Sequence, residues 1–453
     1  MLARTRRGQA VIAAVVAVAA FTLVAIAAPR RGFFDLKVYF GAINYWAHGH
    51  GEVYDYLAPY TKYGFTYPPF AALTMLPMAV LPWHLVITVS LAATVVVTAV
   101  ITRWFLGPVV ARQGWPRWFV YTLAAALLFA FEPMRETLGF GQVNMLLVFL
   151  VVADLVLLGA TPAEPPTGGV RRAWSPWGGI GIGLATAIKL TPGIFIVYLL
   201  IARRYRAALV ASATTAAATL VAAAVAPHAS RIFWTDALWD TDRVGQLSYI
   251  SNQSIEGFVA RLNPGNPNMA LWAGLVLVVL ALWLWRVRLA VRLGDRYGAL
   301  ALTGVLGCLI SPVTWIHHLV WLVPALLLLV ARGLAAVGAP GDGRRRAVRL
   351  LVFAGVLDGL LSSRLVWYFS DHFTGWGLLF SNAYVLASLA LLAGLPLVPA
   401  TDPSAGSPGV ADLYEVDDRA VGSAHREGGP RAVGLEAEVR VEAAGRVVGL
   451  EYP

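Results

Sequence analysis

The chain has one cysteine, Cys308, and only three lysines, Lys37, Lys62 and Lys189. A single cysteine excludes an intramolecular disulfide framework and any cysteine-based zinc or iron–sulfur site. Charge is scarce as well: Asp, Glu, Lys and Arg make up 13% of the 453 residues, against about a quarter in an ordinary soluble domain. Phosphate-cradling and hydrolase motifs are missing. There is no Walker loop, no G-x-G-x-x-G opening a helix and no G-x-S-x-G elbow, so a nucleotide-hydrolysing motor finds no support. What is there is apolar: 58% of the residues are hydrophobic, and the mean hydropathy is +0.68. The net charge of +10 is almost all arginine. Such a balance can mean nucleic acid, but here the arginines fall where membrane topology wants them.

Apolar stretches able to cross ~30 Å of hydrocarbon, about 20 residues as helix, lie near 9–28, 84–102, 117–132, 142–160, 176–190, 192–202, 207–227, 270–286, 297–312, 317–333, 349–363 and 376–398. The expected fold is an all-α polytopic membrane protein with about twelve transmembrane helices in residues 1–399. Two short stretches flank Lys189-Leu-Thr-Pro192 and read as half-helices of a broken hairpin, which membranes tolerate only where protein or a wet cavity covers the break. The apolar segment 68–82 is too short to span and reads as a re-entrant or interfacial helix. With a cytoplasmic N-terminus, 20 arginines fall in inner segments and 10 arginines and lysines in outer ones, which predicts cytoplasmic N- and C-termini. The first apolar stretch exceeds the ~7–15 residues of a signal-peptide core, so a retained helix is expected. Residues 400–453 mix ten acids with five arginines and have no long apolar run; a disordered cytoplasmic tail is expected there.

On this map the polar motifs crowd the outer side, and only Asp154 and Asp358 lie well within spans. That asymmetry argues for an outward-facing working surface over a transporter or flippase, which needs polar groups near the midplane. Asp35 follows the first span by seven residues. It is either an interfacial carboxylate paired with Arg30, Arg31 or Lys37, or a general base held beside a hydroxyl nucleophile. The aromatics around it suit an interfacial belt as well as a sugar-stacking surface. His317 and His318 are adjacent, so they diverge by about 100° on a helix and do not form an i, i+4 metal pair. One can face a cavity and donate to an anionic group. Lys189 precedes Thr191-Pro192: it either snorkels or offers fixed positive charge to a phosphate at a broken helix. Asp240-Thr-Asp242 matches a D-x-D string, a pattern too short to carry weight. No metal and no other cofactor is expected.

Taken together, the aspartate after the first helix, Tyr67-Pro68-Pro69, Phe140-Gly-Gln142-Val-Asn144, Lys189-Leu-Thr-Pro192, Asn252-Gln253-Ser-Ile and Ser311-Pro-Val-Thr-Trp-Ile-His317-His318 resemble glycosyltransferase family 87. These are the actinobacterial polyprenyl-phosphate-mannose-dependent α-1,2-mannosyltransferases of phosphatidylinositol mannosides and lipomannan. The resemblance runs from roughly 30 to 330 with the motifs in the family's order. It implies a GT-C fold, a polyprenyl-phosphate mannose donor, a mannosylated glycolipid or lipoglycan acceptor, and inversion at the anomeric carbon. Asp35 stands at the family's catalytic aspartate, Lys189 at its K-L-T-P lysine, and His317 and His318 at its histidine pair. Inverting transfer needs one base, unlike a retaining two-carboxylate site. Lys189 and a histidine suit the leaving phosphate, and Tyr67, Gln142, Asn144, Asn252 and Gln253 supply groups that can bind donor or sugar hydroxyls.

Overall fold

The computed structural model describes residues 5–27, 31–159, 177–240, 245–337, 341–370 and 372–399. The expected tail 400–453, Arg30 and Asp242 lie outside the described residues. In chain order the helices are α1 (Arg6–Ala27), α2 (Phe34–Ala47), α3 (Pro69–Met75), α4 (Trp83–Gln113), α5 (Arg117–Ala130), α6 (Glu132–Phe140), α7 (Asn144–Gly159), α8 (Ile180–Ile188) and α9 (Ile194–Ile201). They continue with α10 (Tyr205–Val225), α11 (Pro227–Ile232), α12 (Ile255–Leu262), α13 (Met269–Leu293), α14 (Arg296–Ile310), α15 (Val323–Ala336), α16 (Gly343–Ser362), α17 (Gly375–Ser381) and α18 (Ala383–Gly394). Among the described residues there is no strand, only the bridges Leu57–Gly64 and Asn252–Trp315.

Each of the twelve apolar stretches carries helix, but they differ in reach. Among the described residues four helices are long and apolar enough to cross a bilayer: α4, α10, α13 and the unit Ile316–Ala336 that joins a 3₁₀ segment to α15. Two bent pairs, α6 with α7 (115°) and α17 with α18 (61°), raise the number to six if each counts as one span. α5 and α14 have 14 and 15 residues, and at 1.5 Å per residue rise only about 21–23 Å. The protein is thus an all-helical membrane protein. Residues 68–82 form α3 and a 3₁₀ turn, a short helix as the flanking prolines suggest.

Ile316–Ala336 is the central span, with 83% of its most apolar window buried, whereas α13 buries 17% of its window and turns Leu277, Val278 and Trp285 outward. Around the central span α4, α7, α14, α16 and α18 close the main core. A second core joins α2, α3, Tyr54, Phe65 and Phe233. Caps set several boundaries: the side chains of Ser254, Asn268 and Asp295 accept from Gly257, Leu271 and Gly298 N–H groups at the starts of α12, α13 and α14, and α4 and α13 end at Gly114 and Gly294 in left-handed conformation. Both oxygens of Asp295 also accept from Arg332 Nη2, at 2.6 and 2.7 Å, which pairs two opposite charges inside the bundle.

Candidate active site

Asp35 lies in the first turn of α2, where the positive end of the helix dipole favours a carboxylate. The start of α2 is tied to α6 by the Phe33 N–H, which donates to the Gly139 carbonyl at 2.9 Å. Arg31 does not serve Asp35. It pairs with Glu136 (2.9 Å) and lies 5.1 and 5.2 Å from the Phe140 and Trp367 rings. The side-chain partner of Asp35 is instead Gln142, whose Nε2 donates to Oδ2. Burial pushes the Asp35 carboxyl up to about 6; the Gln142 bond and the Lys189 charge offset part of that rise, and Glu136 adds to it. A carboxylate so placed is ionised at neutral pH and basic enough to take a proton.

The position of Gln142 follows from the sharp α6–α7 turn. Gly141 has φ +70°, and a Cβ there would stand 2.6 Å from Leu36 Cβ, so only glycine lets α2 pack against this turn. Tyr39 donates to Tyr67 (3.0 Å), and Tyr67 donates to Gln142 Oε1 (2.9 Å). Burial pushes both phenols up, which keeps them protonated donors. Tyr39 was not singled out by the motifs, although it lies one helical turn from Asp35 on the same face of α2. Asn144 donates to Gln142 Oε1 (3.4 Å) and to the His317 carbonyl (3.3 Å), and its own Oδ1 accepts from Lys189 (3.1 Å).

Lys189 sits in extended backbone between α8 and the 3₁₀ turn Thr191–Gly193, where Pro192 prevents helix from running on. The break turns its ammonium inward, 2.9 Å from His318 Nε2 and 5.1 Å from the Tyr67 ring. His318 Nδ1 accepts from the Trp315 N–H at 3.2 Å, which fixes the ring. His317 is 5% exposed, packs against Phe140 and His318, and its Nε2 has no hydrogen-bond partner among the described residues.

These residues surround a cleft of about 320 Å³. Asp35, Tyr39, Tyr67, Gln142, Lys189, His317 and His318 line it, with Phe34, Tyr63 and Trp315 among its aromatic walls. Asp240 also reaches it. Asn144 lies behind the lining. Asn252 and Gln253, expected from the sequence to bind donor or sugar, are not among the residues that line the cleft. Asn252 donates to the Leu247 and Pro312 carbonyls and accepts from the Thr314 N–H, while Gln253 donates to the Ile250 and Ser381 carbonyls. Their amides serve irregular backbone, which otherwise would be buried unpaired. Among the described residues no three His, Cys, Asp or Glu side chains gather as a metal site.

A helical membrane bundle that brings Asp35, Lys189 and two histidines to a single cleft has the groups that glycosyl transfer calls for. The family model "Glycosyltransferase family 87" matches residues 65–312, and the chain belongs to that family. Among its relatives is the "polyprenol-phosphate-mannose-dependent alpha-(1-2)-phosphatidylinositol mannoside mannosyltransferase" of Mycolicibacterium smegmatis, 31% identical over 423 residues, 87% of this chain and 89% of the relative. The protein of the same name from Mycobacterium tuberculosis is 34% identical over 306 residues, 65% of this chain and 66% of its own. A pentamannoside mannosyltransferase of M. smegmatis is 31% identical over 315 residues, 67% of this chain and 71% of its own. No solved structure matches the chain.

Proposed function

We propose that this glycosyltransferase moves mannose from polyprenyl-phosphate mannose to a hydroxyl of a phosphatidylinositol mannoside or related lipoglycan, forming an α-1,2 linkage with inversion. The observation that carries the mechanism is one cleft lined by both a basic carboxylate and a lysine–histidine pair. Asp35 takes the proton of the acceptor hydroxyl as its oxygen attacks the anomeric carbon. The bond from that carbon to the phosphate oxygen breaks, and its electron pair leaves with polyprenyl phosphate. The leaving group gains a negative charge, which Lys189 and His318 are placed to balance; preorganised charge in a dry site needs no reorganisation at that moment. His317 offers an unpaired nitrogen at the same corner. Tyr67 and Gln142 line the cleft beside these groups, and Asn144 accepts from Lys189.

The GT-C fold, the twelve-span count and the outward-facing site belong to this reading. So do cytoplasmic termini, for which the 20-to-10 distribution of basic residues is the support. The division into a transferase of residues 1–399 and an accessory tail rests on composition. The relatives' printed names support the donor and the class of acceptor. The test is transfer by purified protein from radiolabelled polyprenyl-phosphate mannose to a panel of phosphatidylinositol mannosides. α-1,2-linked product is expected. Utilisation of another lipid-linked sugar alone would refute the donor assignment, and movement of the donor between leaflets without transfer would favour a flippase.

A further inference from the structure

Gln142 is one of the residues first grouped with sugar binding, yet its hydrogen bonds point elsewhere. It is 5% exposed, and Asn144 beside it is fully buried. Both lone pairs of Gln142 Oε1 are occupied, one by the Tyr67 hydroxyl and one by Asn144 Nδ2. An ionised carboxylate only accepts, so the NH₂ end of Gln142 faces Asp35 and its oxygen takes the hydroxyl of Tyr67, to which Tyr39 donates in turn. Asn144 is oriented in the same way, since both its N–H bonds are used and its oxygen accepts from Lys189. Donors thus run in one direction, from Lys189 through Asn144 and Gln142 to Asp35. Aligned chains of this kind polarise one another.

We propose that Gln142 is a positioning residue that aims the base: it holds Asp35 Oδ2, leaves Oδ1 for the acceptor hydroxyl, and through Asn144 ties that aim to the Lys189 corner. This rests on the reading of Asp35 as the base. The amide touches the reaction only through the carboxylate, so its loss is felt in turnover and not in substrate affinity. The groups facing Asp35 are Lys189 from the α8–α9 break, Glu136 from α6, Arg31, the phenols of Tyr39 and Tyr67, and the two histidines across the cleft. Among the side chains of the described residues, Gln142 is the one that bonds to it directly.

The experiment is a double-mutant cycle on the full-length, detergent-purified protein, with kcat and both KM values measured across pH. Gln142→Leu is expected to lower kcat by ~10- to 100-fold, the scale of a misaimed catalytic group, with both KM values within about threefold. In an Asp35→Asn background the same change is expected to cost nothing further, because residues acting as a unit are not additive. Gln142→Glu sets a second carboxyl against Asp35 and is expected to raise the acid limb of kcat/KM by about one pH unit or more, the effect of two acids sharing a site. A rise in acceptor KM of about tenfold with kcat kept, multiplying losses in the Asp35→Asn background, or an unmoved acid limb in Gln142→Glu would each overturn the proposal. If Gln142→Leu fails to fold, the near-isosteric Gln142→Glu decides by its pH limb. Full turnover in Asp35→Asn alone would overturn the base assignment itself and this proposal with it.

Discussion

Replacing Asp35 with asparagine keeps the volume of the side chain and an oxygen for Gln142 Nε2 to donate to, while removing the basicity. Arg31 is engaged with Glu136, so no ion pair is broken by the change. The fold should persist, which makes the kinetic result readable. General-base catalysis is worth ~10²–10⁴-fold, or about 3–5 kcal/mol of transition-state stabilisation. Single-turnover transfer of radiolabelled mannose to a phosphatidylinositol mannoside should therefore slow by at least ~100-fold, with donor affinity unchanged. The wild-type enzyme adds a second signature. A base works when deprotonated, and burial raises the Asp35 carboxyl to about 6. Acidification should therefore cut kcat/KM below about pH 6, some two units above where an ordinary aspartate would do so. The variant should lose that limb. An Asp35→Asn enzyme that turns over within threefold of wild type would refute the reasoning, and the histidines would be the next candidates.

Lys189→Met removes the ammonium that stands between Asn144 and His318, and should raise donor KM by ~10-fold or more while also lowering kcat, with acceptor KM unmoved; an unchanged donor KM would remove the phosphate role. The orientation is tested by His48→Cys and Asn266→Cys in a Cys308→Ala background, two exposed positions in segments read as outward. Both should react with a membrane-impermeant maleimide in intact cells, and labelling only after permeabilisation would invert the map.

Much of the site is legible in the sequence because charge is so rare. In a chain with three lysines, Lys189 beside a proline break stands out, as does a lone aspartate after the first helix. What a linear reading does not reveal is the partner of each group. Asp35 and Gln142 are 107 positions apart, and Lys189 and His318 are 129 apart. Their pairing is created by the α6–α7 turn at Gly141 and by the break after α8, neither of which has a periodic signal. Arg31 looks like the natural mate of Asp35 by proximity in sequence, but Glu136 is within reach once α6 folds back on α2. Span counting meets a similar limit. Hydropathy sees apolar residues, whereas Pro192, Ser311-Pro312 and Gly141 decide where each helix stops.

Asn252 and Gln253 show how a motif can serve the backbone beside the cleft. The segment from Pro312 to Trp315 is neither helix nor strand, and its polar backbone needs partners. Asn252 takes the Pro312 carbonyl and the Thr314 N–H, and the Gln253 N–H takes the Thr314 carbonyl at 2.7 Å. Ser254 adds a second bond to Pro312, and the Ser251 hydroxyl accepts from the Ile316 N–H. From behind, the buried Arg261 guanidinium donates to the Tyr249 and Asn252 carbonyls and to Asn382. Residues 251–254 therefore act as a template for an irregular strap. That strap ends at Trp315, His317 and His318, all of which line the cleft. Asn252 gives both ends of its amide to backbone, and Asn252 and Gln253 are both fully buried away from the cleft. On the proposed reading, the contribution of 251–254 is to fix the distance between His318 and Lys189.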